Sequence, residues 1–204
     1  ADRLRLVPWG ATAHPVTDAD RRRVRERYRL DRPFVLWVGT IEPRKNLPTL
    51  LEAFRRIQPT DVDLVLVGPV GWHEQLEGHI EGIGSKVRQL GFVPAEDLPA
   101  LYAEARLFCF PSTREGFGLP ALEAMAQGTP VIAGAGTAVA EVVGDGGVTI
   151  APLDVEAWAG VLVELLDDEQ RRSALGAAAL VRAGEFTWER CAEQMAAAYH
   201  EVGG

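Results

Sequence analysis

Two short stretches carry residue types that could bind and activate a phosphorylated ligand. The first is Gly39-Thr40-Ile41-Glu42-Pro43-Arg44-Lys45-Asn46. Its glycine lets the backbone turn and a ligand approach, and two cations follow just before a predicted helix. A helix start already favours anions through its end-charge and free N–H groups, so Asp or Glu is the usual choice there. Arg44 and Lys45 run against that preference and point to an anionic ligand, with an ion pair to Glu42 or another carboxylate as the competing use. The second stretch runs from Pro111 to Met125 through Glu115-Gly116-Phe117-Gly118-Leu119-Pro120. Pro120 suits the first helical position, which makes Leu119 the expected N-cap. Leucine cannot accept a hydrogen bond, so the N–H groups of that first turn are left for a ligand, and Gly116 and Gly118 keep its approach clear. Glu115 lies in the loop and Glu123 about one turn into the helix, two carboxylates at different depths along one wall. Each also has an ordinary use: Glu115 can cap the helix and Glu123 can meet its dipole.

What presents these stretches is a repeated strand and helix pattern. Apolar runs at 34–39, 63–68, 107–111, 130–133 and 148–151 read as buried parallel strands, with a weaker one at 87–93. Helical stretches lie between them. One covers 46–57, with Asn46 as the expected N-cap and Leu47, Leu50, Leu51 and Phe54 on one face. Another covers 97–105, with Leu98, Leu101 and Tyr102 inward. Such alternation implies an α/β, Rossmann-like three-layer domain: a mostly parallel sheet with helices on both faces. Ligands bind outside the carboxyl ends of such strands, where both stretches fall. Residues 1–17, with Pro8, Gly10 and Pro15, read as a linker that forms at most a short strand at Leu4, Leu6 and Val7. The domain then covers 18–186, ending in helices at 154–166 and 168–183, and a C-terminal helix covers 187–204. The basic run 21–29, with Val24 and Tyr28 four apart, reads as a solvated amphipathic helix, with an anionic membrane surface as the alternative contact.

Composition removes several function classes. The 204 residues are 47% hydrophobic and 25% charged, which suits one sizeable core and not wholesale disorder. With 21 basic and 29 acidic groups the formal charge is -8, which argues against general nucleic-acid binding. Any phosphate must be met by a few local groups. Cys109 and Cys191 form neither a disulfide framework nor a zinc cluster, which fits a reducing cytoplasm. Cys109, inside an apolar run, reads as a buried structural thiol. Among His14, His73, His79 and His200 there is no ligand pair, since His73 and His79 do not share a helix face. No apolar run approaches the roughly 20 residues that span a bilayer, and no signal peptide is visible.

The E-x7-E spacing from Glu115 to Glu123, preceded by Phe110-Pro111-Ser112, resembles the signature of family 4 glycosyltransferases, retaining enzymes of GT-B architecture. Val38 to Asn46, Gly91-Phe92-Val93, Glu123-Ala124-Met125-Ala126 and Gly128-Thr129-Pro130-Val131 match in type and order, so the resemblance covers nearly the whole chain. It implies the C-terminal, donor-binding half of a GT-B fold, with a GDP- or UDP-linked sugar as donor and neither metal nor other cofactor. Lys45 matches the lysine on the donor diphosphate. Several members follow the strand-end glycine, here Gly39, with a second cation; this chain has Thr40 there, so that role passes to Arg44. Glu115 matches the carboxylate facing the donor sugar, and Glu123 the one that takes the ribose hydroxyls. Phe117, Gly118 and Leu119 would offer backbone N–H groups to sugar and diphosphate, and Gly68 and Val93 lie where the base sits. The sequence leaves Glu115 open as nucleophile or as positioning group, and the resemblance favours same-face substitution without a covalent intermediate. The 39–46 stretch is most similar to bacterial mannosyl transferases, which implies GDP-mannose and a glycan or lipid-linked acceptor.

The resemblance begins at the interdomain linker, Leu6 to Gly10, and the last helix of such enzymes packs back across it. An N-terminal acceptor domain is therefore expected outside this chain. The 204 residues are expected to bind donor but transfer little sugar alone, in the cytoplasm or at the cytoplasmic membrane face. A stand-alone nucleotide-sugar module is one alternative and a dinucleotide-binding domain another. Gly134 to Val139 follows a strand, with Asp154 twenty residues on. Its helix, however, fits only within 137–143, and Val139 occupies the third glycine position. Asp61-Val62-Asp63 has the spacing of metal-dependent transferases, but it precedes its strand and reads as a turn.

Overall fold

The computed structural model describes residues 4–58, 61–71 and 78–203. Its elements are α1 (Asp18–Tyr28), β1 (Phe34–Val38), α2 (Leu47–Ile57), β2 (Asp63–Val67), β3 (Val87–Gly91), α3 (Leu98–Glu104), β4 (Leu107–Phe110), α4 (Leu119–Ala126), β5 (Val131–Gly134), α5 (Ala138–Val143), β6 (Gly147–Ile150), α6 (Val155–Asp167), α7 (Glu169–Ala183) and α8 (Trp188–Gly203). All six expected runs are strands; four are trimmed at their carboxyl ends, and β5 and β6 are each shifted by one residue. Leu4, Leu6 and Val7 form none. His73 lies outside the described residues.

The strands pair in the order β3-β2-β1-β4-β5-β6, and every pairing is parallel. Alternate residues feed two cores. Phe34, Leu36 and Val38 of β1 pack with α1, α3, α4, α5 and α7, while Val35 and Trp37 pack with α2 and α6. Cover on both faces is why the central strands are continuous apolar runs. Strand order reverses between β1 and β4, the place where a doubly wound sheet opens a crevice at its carboxyl edge. Both chemistry-bearing loops leave from those two strands.

The basic helix is amphipathic and solvated as expected, and it is ion-paired as well. Thr17 and Asp20 close a capping box at the start of α1, and Val24 is buried. Arg21 Nη1 reaches Glu104 Oε1 at 3.0 Å, and Arg25 also pairs with Glu104. Arg23 and Arg27 lie 3.1 and 3.0 Å from Asp97, and Tyr28 Oη donates to Asp97 Oδ2 at 2.7 Å. Four arginines thus pair with carboxylates at or in α3 while their side chains stay largely open to water.

Asn46 holds the N-cap position of α2 without capping it. Its backbone is left-handed (φ 53°), and its Nδ2 donates to Pro111 O at 3.0 Å and Pro152 O at 2.7 Å. Its Oδ1 accepts from Thr49 Oγ1 at 2.9 Å. The side chain therefore ties the loop after β1 to the loops after β4 and β6. Cys109 is buried as expected, and burial pushes its thiol pKa up. The 4–17 segment runs beside α8: Ala11 N donates to Phe186 O at 3.0 Å, and Arg5 Nε meets Glu201 Oε2 at 2.7 Å. Among the described residues no helix is long and apolar enough to cross a membrane.

Candidate functional site

Backbone hydrogen bonds carry the ladder past the strand ends and fix the first loop. Gly39 N donates to Val67 O (2.9 Å), Ile41 N to Pro69 O (2.9 Å) and Gly68 N to Gly91 O (2.7 Å). Gly68 has φ 127°, and a Cβ there would collide with the Gly39 carbonyl oxygen. Its glycine is therefore required by the neighbouring loop, before any ligand is considered. Thr40 is exposed, whereas the Val93 side chain is buried in the core, which leaves only backbone to face outward there.

Arg44 and Lys45 sit just ahead of α2, as expected, in a one-turn 3-10 segment, Pro43–Lys45. The left-handed Asn46 separates that turn from the helix. Both cations face the loop after β4. Thr113 N and Oγ1 both donate to Arg44 O, at 2.9 and 3.2 Å, and lock the two loops together. Lys45 Nζ then meets Glu115 Oε1 at 2.7 Å and Arg44 Nη1 meets Glu115 Oε2 at 3.0 Å. Arg44 Nη2 lies 2.5 Å from Glu42 Oε1. Lys45 Nζ also stands 4.7 Å from the centre of the Phe110 ring. The side chains of Lys45 and Glu115 are each only 8% exposed, while that of Arg44 is 46% exposed. The ion pairs weighed from sequence are therefore present, with Glu42 and with Glu115 at once. Two cations and two carboxylates balance.

The start of α4 needs one correction. Gly118 and not Leu119 is the N-cap, and Pro120 is the second helical residue. Gly118 takes φ 103°, and a Cβ there would strike the Val139 side chain. The conclusion drawn from the wrong residue survives, since glycine has no side chain to cap the turn. Glu115 does not cap it either, being held by the cations. Gly116 has open space around it. Phe117 packs between Trp9 and Phe186, with ring centres 6.0 Å away on each side. Glu115 and the Gly116–Pro120 backbone border a cavity of about 620 Å³, closed on other sides by Trp9, Glu141 and Arg182.

Glu123 lies in a different cavity, of about 280 Å³, with His14, Leu98, Tyr102 and Gln127. Only Leu119 borders both, so the two carboxylates do not share one wall as expected. Tyr102 Oη donates to Glu123 Oε2 at 2.9 Å. Burial raises the Glu123 pKa above the usual carboxylate value, while the Tyr102 hydrogen bond and the charge of His14 oppose it. The Tyr102 hydroxyl is itself pushed well up, first by burial and then by Glu123. Sequence reading placed Tyr102 only on an apolar helix face. Its polar partner is 21 residues away, on another helix, with no local signal to reveal it.

The remaining candidates fall outside this arrangement. Gly134 is needed because a Cβ would collide with Ser112 O, and α5 has only 6 residues. Asp61 lies in a bend, as expected of a turn, but Asp63 already belongs to β2, at the amino edge of the sheet and 3.7 Å from Arg32. No group of three His, Cys, Asp or Glu among the described residues could hold a metal ion.

Against known proteins, residues 18–182 match the family described as Glycosyl transferases group 1. The O-antigen chain mannosyltransferase B of Escherichia coli is 42% identical over 173 residues, covering 81% of this chain and 45% of that protein. Sucrose-phosphate synthase of Thermosynechococcus elongatus superposes with a TM-score of 0.84 at 32% identity, over 97% of this chain and 52% of that one. Anabaena HepE, solved in complex with UDP, superposes with a TM-score of 0.82 at 27% identity, over 91% and 54%. The chain spans about half the length of these relatives.

Proposed function

The chain belongs to the Glycosyl transferases group 1 family, and from that premise we propose that it binds the nucleoside-diphosphate sugar donor of a retaining, metal-independent glycosyltransferase. Its Rossmann-like fold is that of one half of a GT-B enzyme. The observation that carries the reading is the Lys45–Glu115–Arg44 arrangement at the reversal of strand order between β1 and β4. Breaking a sugar–phosphate bond develops negative charge on the departing diphosphate and positive charge on the sugar carbon. Lys45 and Arg44 stabilise the first, and Glu115 is the carboxylate beside them that can serve the second. Glu123, in the smaller cavity, takes the ribose hydroxyls. The backbone of Phe117, Gly118 and Leu119 faces the sugar and diphosphate, and Gly39, Thr40, Gly68 and Val93 border the nucleotide. The acceptor is bound by another part of the full enzyme.

A buried ion pair contributes little net stability, because desolvation offsets most of its attraction. The clamp is better understood as keeping two cations aimed and neutralised until a diphosphate displaces Glu115 from them. Glu115→Gln removes one anion from this balanced set. It is expected to tighten nucleoside diphosphate binding by about fivefold, the scale of one charge at a few ångströms in a partly wetted site. Calorimetric titration reads this directly, and weaker binding in the variant would contradict the displacement.

Relatives narrow the donor. The E. coli protein is a mannosyltransferase, which supports a hexose and specifically mannose; HepE holds UDP, which supports a nucleoside diphosphate. Titrating the chain with UDP, GDP, dTDP and NAD separates the bases and tests the class. One nucleoside diphosphate should bind at least about tenfold tighter than NAD, the scale of a single charge-assisted contact. Binding of NAD alone would replace the proposal with a dinucleotide-binding domain.

A further inference from the structure

We propose that Tyr102 is a positioning residue for nucleoside recognition, holding the Glu123 carboxylate so that its free oxygen faces the ribose diol. The inference rests on the reading of Glu123 as the ribose-binding group and deepens it. Tyr102 is 1% exposed and cannot swing, since its ring stands edge-on to Phe108, with centres 5.5 Å apart and planes at 73°. Its backbone is pinned as well, because Thr129 Oγ1 donates to Tyr102 O at 2.6 Å. A buried tyrosine hydroxyl needs a partner, and among the described residues it has Glu123 Oε2, at 2.9 Å. Glu123 Oε1 accepts no hydrogen bond among the described residues, and Glu123 borders the 280 Å³ cavity. One oxygen is thus anchored from the core side and the other is left for a ligand. A carboxylate on a free rotor would lose that aim.

Two groups face this carboxylate from neighbouring elements: Tyr102 from α3 and His14 from the segment before α1. Gln127 Nε2 donates to His14 O at 3.1 Å and steadies that segment. Both groups favour the charged form of Glu123, against burial. Removing the tyrosine hydroxyl therefore raises the Glu123 pKa further. The carboxylate that accepts from the diol would then be lost sooner as pH falls, so the acid limb of nucleotide binding moves to higher pH.

The test compares a ribonucleoside diphosphate (UDP or GDP, whichever the chain binds more tightly) with its 2′-deoxy analogue. It uses the unaltered chain and the Tyr102→Phe, Glu123→Gln and Phe108→Leu variants. The unaltered chain should favour the ribonucleotide by about tenfold, the scale of hydrogen bonds to a charged group. Tyr102→Phe should lose most of that preference and hold its affinity for the deoxynucleotide within about twofold, since it removes a hydrogen bond and no packing. Phe108→Leu loosens the packing that holds the ring but leaves the hydroxyl in place, so it should lower the preference less than Tyr102→Phe does. If Tyr102→Phe keeps the full preference while Glu123→Gln loses it, the positioning role fails and the ribose role of Glu123 survives. If Tyr102→Phe weakens both nucleotides equally, the residue is merely structural. If Glu123→Gln keeps the preference, the ribose reading fails and takes the positioning role with it.

Discussion

Replacing Lys45 with alanine is expected to weaken every nucleoside diphosphate by about ten- to a hundredfold and to leave the free nucleoside unchanged. The magnitude is that of a hydrogen bond to a charged group, about 1.5–3 kcal/mol, with the upper end favoured because the ammonium is almost fully enclosed. Part of the loss is indirect. Without Lys45, the Glu115 carboxylate keeps only the half-exposed Arg44 as a partner, and its excess negative charge then opposes the phosphate. The Lys45→Ala, Glu115→Gln double variant separates the two contributions, since neighbours that share one network do not act additively. It should recover several-fold of the affinity lost in Lys45→Ala. Calorimetry with nucleoside and nucleoside diphosphate in parallel is the measurement, and equal loss for both ligands would remove Lys45 from the phosphate.

The second large effect concerns stability and lies far from the clamp. Asp97 is fully enclosed and accepts from Arg23, Arg27 and Tyr28 together. Breaking a buried charge pair by removing one partner costs about 3–5 kcal/mol. Here the lower figure should apply, because the side chains of Arg23 and Arg27 are 45% and 51% exposed and can return to water. The Tyr28 hydroxyl, its pKa pushed up to about 12 by burial and by Asp97, has less freedom and is left facing a void. Asp97→Ala is thus expected to cost about 3 kcal/mol, which for this chain length lowers the thermal midpoint by roughly 6–12 °C. Asp97→Asn, which keeps the shape and one acceptor, should cost about half as much. Urea unfolding of the three proteins checks the order; a loss under about 1 kcal/mol for Asp97→Ala would class the cluster with exposed ion pairs of little worth.

Much of the fold could be read in advance because strands covered on both faces leave long apolar runs, and Phe34 to Val38 or Leu107 to Phe110 admit no other use. The site was legible in residue types but less so in geometry. Arg44, Lys45 and Glu115 were all identified, yet nothing local showed that they pair across about seventy residues of sequence, since that pairing exists only once β1 and β4 are neighbours. The same limit hid the role of α1, whose arginines find Asp97 and Glu104 seventy to eighty residues on. The proline rule places Pro120 first in a helix and so makes Leu119 the cap. Gly118, where both the left-handed backbone and the nearby Val139 side chain exclude a Cβ, moves the start by one residue. Gly68 follows the same pattern: a close neighbouring carbonyl explains it as fully as a ligand could.

The two loops of the clamp are rooted in β1 and β4, the innermost pair of the sheet, while β3 and β6 form its part-exposed rims. Local opening begins at such rims and reaches the centre only when the whole domain unfolds. The aim of Lys45 and Glu115 therefore persists through fraying that would disable a site built at an edge. Damage at the periphery reaches this site in an all-or-none way. It appears as fewer binding-competent molecules, each with its full affinity.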